Sequence, residues 1–262
     1  MRVLVTGAGR AIGAATVAEL AARGHDVIAT ARNPSVIDSS DPGVSTMALD
    51  VNDPESVRAA IAAAGKLDAV VNNAALNSEG PLESVPIDLV AGMFDTNVLG
   101  ALRVIQAVLP AWRDRGSGVI VNVSSVQGKV GTPLEGPYAA TKHALEAISE
   151  CLHIEVGHFG IRVMIIEPGY IEPGMKPGLV HDGPDAYDEL RRQWEPNDSL
   201  LNPQGRPGPE IVGQAIADAI EDPSTPLRVE VGHDAALVLG ARRALDDASF
   251  EEAMRGVLGL TW

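Results

Sequence analysis

The sequence predicts a doubly wound α/β fold, a parallel sheet of about seven strands with helices on both faces. Three observations predict it. Short apolar runs alternate with longer stretches of helical periodicity along the chain. Those runs are filled with Val, Ile, Leu and Ala and show little polar alternation, as strands buried on both faces require. The first run passes through a glycine turn, TGAGRAIG, straight into a helical stretch, which is how a βαβ unit opens.

RVLV, Arg2 to Val5, is the first strand. AIGAATVAELAARG then repeats apolar residues at helical spacing and stops at Gly24. DVIAT, Asp26 to Thr30, is the second strand and STMALDV the third. DPESVRAAIAAAG opens a helix, with an acid followed by Pro54 at the first helical position, where the missing N–H would have been unpaired anyway. LDAVVNNAA, GVIVNVSS and IRVMIIEPG supply strands four to six, and PLRVEVG a seventh. Long helical stretches cover residues 83–113 and 137–159 between the last three full strands. Crossovers are expected to be right-handed, and residues 1–262 read as one domain. Residues 170–208 break the pattern with six prolines, several acids and at best a short helix around residues 186–194. They follow the sixth strand at the carboxyl edge, where open α/β sheets bind ligands, so they are expected to form a substrate lid. Met175, Leu179, Tyr187 and Trp194 within them point to a hydrophobic substrate.

Composition narrows the function. The chain is 45% hydrophobic, so a core is available, and its formal charge of -15 argues against nucleic acid and against anionic membranes. Cys151 is the only cysteine, which rules out an intramolecular disulfide and a Cys-rich zinc site. The N-terminal apolar run is too short for a signal peptide, and no run is long enough to cross a bilayer. A cytoplasmic protein is expected. His153 and His158 lack a carboxylate cluster and share no helix face, so no metal site is expected. Trp112, Trp194 and Trp262 are expected to pack rather than to bind.

A glycine turn between a strand and a helix is an anion site, because unpaired N–H groups and the helix dipole converge there. Gly7 and Gly13 flank this turn, but Ala11 stands where a middle glycine is usual. Its methyl is expected to crowd a pyrophosphate. NAD-binding folds tend to place an acid at the end of the second strand, against the ribose 2′-hydroxyl. Here Ala31 and Arg32 occupy that place, and Arg10 sits in the turn. Two guanidinium groups suit a 2′-phosphate, so NADP(H) is favoured over NAD(H).

YAATK places Tyr138 and Lys142 four apart, one turn along the same helix face. A free phenol has a pKa of about 10. An ammonium about 4 Å away, at an effective dielectric near 20, supplies about 4 kcal/mol toward ionising it, enough to bring it near neutrality. Ser124 and Ser125 end the fifth strand, where a hydroxyl could hold a substrate oxygen beside Tyr138.

From Arg2 to about Tyr170 the chain resembles the short-chain dehydrogenase/reductase family, of the single-domain Rossmann type with a Tyr-x-x-x-Lys pair. The resemblance implies a coenzyme site formed by Gly7, Arg10, Ala11, Ile12, Gly13 and Arg32, with Asp50 and Val51 at the adenine. Asn73 and Ala74 of the NNAA stretch, Tyr138, Lys142, Pro168, Gly169 and Ile171 complete it. It implies Tyr138 as acid/base, Ser125 (by its spacing to Tyr138) as the orienting hydroxyl, Lys142 as the group that lowers the phenol pKa, and Asn97 as a structural and proton-relay residue. The implied reaction interconverts a small-molecule carbonyl and an alcohol by hydride transfer, in a homodimer or homotetramer paired through the two long helical stretches. The departures are Ala11, Ala75 in place of the last glycine of NNAG, and Glu172 where a threonine often meets the carboxamide. A lyase or dehalogenase on the same fold is disfavoured by the retained glycines and Lys142, and a non-catalytic dinucleotide sensor by the intact Tyr138–Lys142 pair.

Overall fold

The computed structural model describes residues 1–37, 40–173, 175, 183–194 and 200–262. Seven strands are present: β1 (Arg2–Val5), β2 (Asp26–Ala31), β3 (Val44–Ala48), β4 (Ala69–Asn72), β5 (Gly118–Val123), β6 (Ile161–Pro168) and β7 (Arg228–Val231). They form one sheet in the order β3-β2-β1-β4-β5-β6-β7, every pairing parallel. The order reverses between β1 and β4, which makes their carboxyl ends the switch point where such sheets bind ligands.

Helices cover both faces. On one, α1 (Ala11–Ala22) and α7 (Glu210–Glu221) bury Val17, Leu20, Val212 and Ile216 against Val3 and Val5. On the other, α2 (Pro54–Ala64), α4 (Ala101–Arg115) and α5 (Gly136–Gly157) bury Val57, Val104, Trp112 and Leu152 against Leu4 and Ile120. A third, smaller cluster joins α8 (His233–Ala244) and α9 (Asp247–Leu258) to the segment after β5 through Val130, Val238, Leu239 and Phe250. No helix among the described residues is long and apolar enough to cross a membrane.

The structure departs from the expected elements in three places. The third strand stops at Ala48 rather than Val51, because the Asp50 carboxylate accepts the Asn52 N–H at 3.0 Å and turns the chain. β3 is also an edge strand with exposed Ser45 and Thr46, so the two-sided burial read from the sequence holds only for the interior strands. The helical stretch at residues 83–113 begins only at Ile87, as α3 (Ile87–Phe94), and passes through a π-helical turn, Asp95–Gly100, before α4. Such turns gather at functional sites, and this one carries Asn97. Residues 170–208 hold α6 (Asp188–Trp194), the short helix expected there. Helices α7 and α8 were missed, although Val212, Ile216 and Ile220 recur at helical spacing.

Candidate active site

The turn after β1 is tied down by Thr6 and Asn73. The buried Thr6 hydroxyl donates to the Val71 carbonyl at 3.2 Å and accepts the Asn73 and Ala74 N–H groups at 3.0 and 3.1 Å. The Asn73 amide donates to the carbonyls of Thr6 and Gly7 at 2.9 and 3.1 Å, so its side chain shapes the turn. Gly7 has φ +66°, and a Cβ there would lie 2.9 Å from the Ala74 Cα. A Cβ on Gly13 would lie 2.7 Å from Asn73 Nδ2 and would overlap the Gly7 carbonyl. No side chain caps the start of α1 and its first turn holds no acid. Uncapped N–H groups at the head of α1, on a turn packed too tightly against Asn73 and Ala74 for a side chain, fit the phosphates of a dinucleotide.

Ala11 sits at φ +44°, so the cost of its methyl lies in its own backbone rather than in pyrophosphate crowding alone. Left-handed φ costs a non-glycine residue roughly 1 kcal/mol. Ala11→Gly is therefore expected to raise stability by roughly 0.5–1 kcal/mol, a rise in Tm of about 2 °C. Thermal unfolding checks this, and an unchanged or lowered Tm refutes the strain.

Arg10 and Arg32 are exposed and have no carboxylate partner among the described residues. Asp50 is half-buried beside β3. Val51 and Ile171 are buried, and Ile12 is partly buried, all with side chains packed into the core. Pro168 ends β6, and the Gly169 N–H donates to the Val231 carbonyl at 3.0 Å. Asp234, a buried carboxylate that sequence reading missed, accepts the Tyr170 N–H at 2.6 Å and so holds this Pro–Gly turn from α8. Its only sequence signal is an acid in the first turn of a helix, which is too common to select. Glu172 faces solvent and lies 3.9 Å from Arg206.

Tyr138 and Lys142 stand one turn apart on α5, both buried. Ser125 follows β5. Its hydroxyl accepts the Gln127 N–H at 3.1 Å and acts on the Tyr138 phenol, drawing its pKa down. Ser124 is buried, with its hydroxyl close to Gly128. The Lys142 ammonium donates to the Val123 carbonyl at 2.7 Å and lies 5.5 Å from the centroid of the Tyr138 ring.

The electrostatics correct one expectation. Burial pushes Lys142 down to about 8, with the Glu146 charge opposing. Burial pushes the Tyr138 phenol up from its ordinary value, the Glu135 carboxylate adds to this, and the Ser125 hydrogen bond opposes it. The ammonium does not bring this phenol near neutrality. The sequence estimate counted attraction and left out desolvation, which disfavours the charged form of both groups. Glu135, which accepts hydrogen bonds from Asn77 at 2.7 Å and Gln127 at 2.6 Å, was also missed.

Asn97 lies in the π-helical turn before α4. Its amide donates to the Leu76 carbonyl at 2.8 Å and the Thr141 hydroxyl at 2.9 Å, and accepts the Leu76 N–H at 2.7 Å. Thr141 in turn donates to the Tyr138 carbonyl at 2.7 Å. With both amide donors committed, the Asn97 side chain braces α5 through Thr141, which bonds the Tyr138 carbonyl.

A cavity of about 480 Å³ opens beside Ser125, Gly169 and Tyr170. Trp194 and Trp262 line it, and Trp112 is buried and donates to the Leu67 carbonyl at 3.0 Å. Of the lid residues singled out, Tyr187 stacks on Trp262 with centroids 6.2 Å apart, Met175 is exposed, and Leu179 lies outside the described residues.

Known proteins match this arrangement. A family profile described as short chain dehydrogenase matches residues 1–183. An uncharacterized oxidoreductase of Schizosaccharomyces pombe is 36% identical, covering 81% of this chain and 92% of its own. The crystal structure of a short-chain dehydrogenase from Streptomyces avermitilis aligns with a TM-score of 0.82 at 33% identity, covering 97% of both chains. A short chain dehydrogenase from Burkholderia cenocepacia, in complex with NADP, aligns with a TM-score of 0.77 at 25% identity, covering 100% of this chain and 98% of that one.

Proposed function

The chain belongs to the short-chain dehydrogenase family and is an NAD(P)-dependent oxidoreductase, and from that premise we propose that it interconverts a carbonyl and an alcohol with NADP(H), Tyr138 carrying the proton. One observation carries the reading: Tyr138 and Lys142 stand one turn apart on α5, with Ser125 beside the phenol just past the carboxyl end of β5.

The glycine turn, Arg10 and Arg32 would hold the dinucleotide, which when bound supplies or accepts a hydride. Ser125 orients the substrate oxygen and Tyr138 exchanges a proton with it. Burial pushes the phenol's pKa upward, so it carries its proton at neutral pH and can donate it to a substrate oxygen. Lys142, brought down to about 8, stands one turn away as the next group able to exchange a proton. Asn97 and Thr141 hold the phenol's helix in place.

Arg10 and Arg32, without a carboxylate partner among the described residues, favour the 2′-phosphate of NADP(H). Arg32→Ala is expected to lower kcat/KM for NADPH about tenfold, on the order of one charge-assisted hydrogen bond, and to change that for NADH less than about twofold. A screen of NADPH and NADH oxidation over neutral aldehydes and ketones tests both reaction and preference, and equal losses with the two coenzymes would reject the 2′-phosphate contact. One domain over residues 1–262 acting on a small molecule fits the continuous sheet. Exposed Leu99 and Ile154, in the π-helical turn before α4 and on α5, support pairing into a homodimer or homotetramer. The exposed, unpaired Cys151 thiol suits a reducing cytoplasm.

A further inference from the structure

The cavity at Ser125 is apolar over most of its wall. Leu190 and Trp194 of α6, Val238 of α8 and Phe250, Met254 and Leu258 of α9 form its sides. Three charged residues also line it: Asp234, Glu251 and Arg255. The Arg255 guanidinium is committed, to Glu251 at 2.9 Å and to the Trp262 carbonyl. Asp234 has one oxygen on the Tyr170 N–H and the other buried without a hydrogen-bond partner. The cavity thus offers no uncommitted cation among the described residues, and a carboxylate inside it would face Asp234.

Leu260 and Trp262 also line it, on a terminal strap. Gln193 accepts the Thr261 and Trp262 N–H groups at 2.8 and 3.1 Å and donates to the Thr261 hydroxyl at 2.9 Å. With Arg255 on the Trp262 carbonyl and Tyr187 stacked on its ring, Gln193 ties this strap to α6.

We infer that this cavity takes a neutral, elongated apolar substrate with its reactive carbon at the Ser125 end, and that Gln193 sets the length it accepts. The substrate class rests on the oxidoreductase reading; the shape and charge of the cavity do not. Trp194 and Trp262 in the wall give a binding signal that needs no turnover. Straight-chain primary alcohols from butanol to decanol, titrated by tryptophan fluorescence, are expected to bind about three- to fourfold tighter per added methylene until the cavity is filled. The matching carboxylates are expected to bind at least about tenfold weaker. Gln193→Ala is expected to weaken decanol about tenfold and butanol less than about twofold, the difference reflecting lost strap hydrogen bonds. Affinities independent of chain length, or carboxylates that bind as well as alcohols, would overturn the assignment. An equal effect of Gln193→Ala at all lengths would overturn the role of the strap. NADPH-dependent reduction of the matching aldehydes is measured alongside. Length-dependent binding without any turnover would reject the oxidoreductase reading and leave the cavity assignment standing, whereas turnover without length dependence would do the reverse.

Discussion

Tyr138→Phe is expected to lower kcat for carbonyl reduction about a thousandfold while changing NADPH affinity less than about threefold. The substitution removes one atom. The ring keeps its buried place and its face toward Lys142, so the helix and the coenzyme side of the site stay as they are. What is lost is the group that exchanges a proton with the substrate oxygen, and a positioned acid/base contributes typically 10²–10⁴-fold. The Ser125 hydroxyl keeps the Gln127 N–H. It can still orient an oxygen, and that sets the residual rate. Single-turnover kinetics with NADPH, together with coenzyme fluorescence titration, separate the two effects. A variant within about tenfold of the wild-type rate would remove Tyr138 from the chemistry. Equal losses in binding and rate would assign it a structural role instead.

Much of this site was legible because it rests on local rules. The glycine turn announces itself through Gly7 and Gly13, and the structure shows why neither tolerates a side chain. Tyr138 and Lys142 share a helix face by spacing alone, and the end of an apolar run placed Ser125 at the carboxyl edge. The illegible parts depend on what the chain brings together from a distance. Asp234 meets Tyr170 across 64 positions, and Asn97 meets Thr141 across 44. No window of sequence holds either pair. The sign of the Tyr138 shift needed the depth of burial and the placement of Glu135, both properties of the packed fold. The walls of the cavity were hidden for the same reason. Trp194 and Trp262 look like packing residues until α6 and the segment after α9 close around the space between them.

The second large effect concerns pH. Glu167 is buried in β6, next to Pro168 at the edge of the proposed coenzyme site. Its carboxylate lies 3.4 Å from Arg228, which also holds Glu146 at 2.9 Å and Glu150 at 2.5 Å. Lys129 lies 3.6 Å from Glu146 and 3.4 Å from Glu150. Two cations thus serve three carboxylates, and two of those carboxylates are buried. Burial first, then the Glu146 charge, pushes Glu167 up to about 7, against the pull of Arg228. The folded protein therefore keeps this proton up to about pH 7, whereas the unfolded chain releases it near the ordinary value of 4.5. Across that interval the native state binds more protons, so stability falls as pH rises. The contribution is complete below the window and lost above it. Glu167→Gln keeps the neutral form at every pH. It is expected to be more stable than the wild type by about 2–3 kcal/mol at pH 8 and nearly equal to it at pH 4.5, at about 1.4 kcal/mol per pKa unit. Lys142 does not obscure the test. Its downward shift makes stability rise with pH only between about 8 and its ordinary 10.5, outside this window. Urea unfolding of both proteins at the two pH values measures the difference. A glutamine variant less stable than the wild type at pH 8 would mean that the ion pair with Arg228 outweighs the cost of burying the charge.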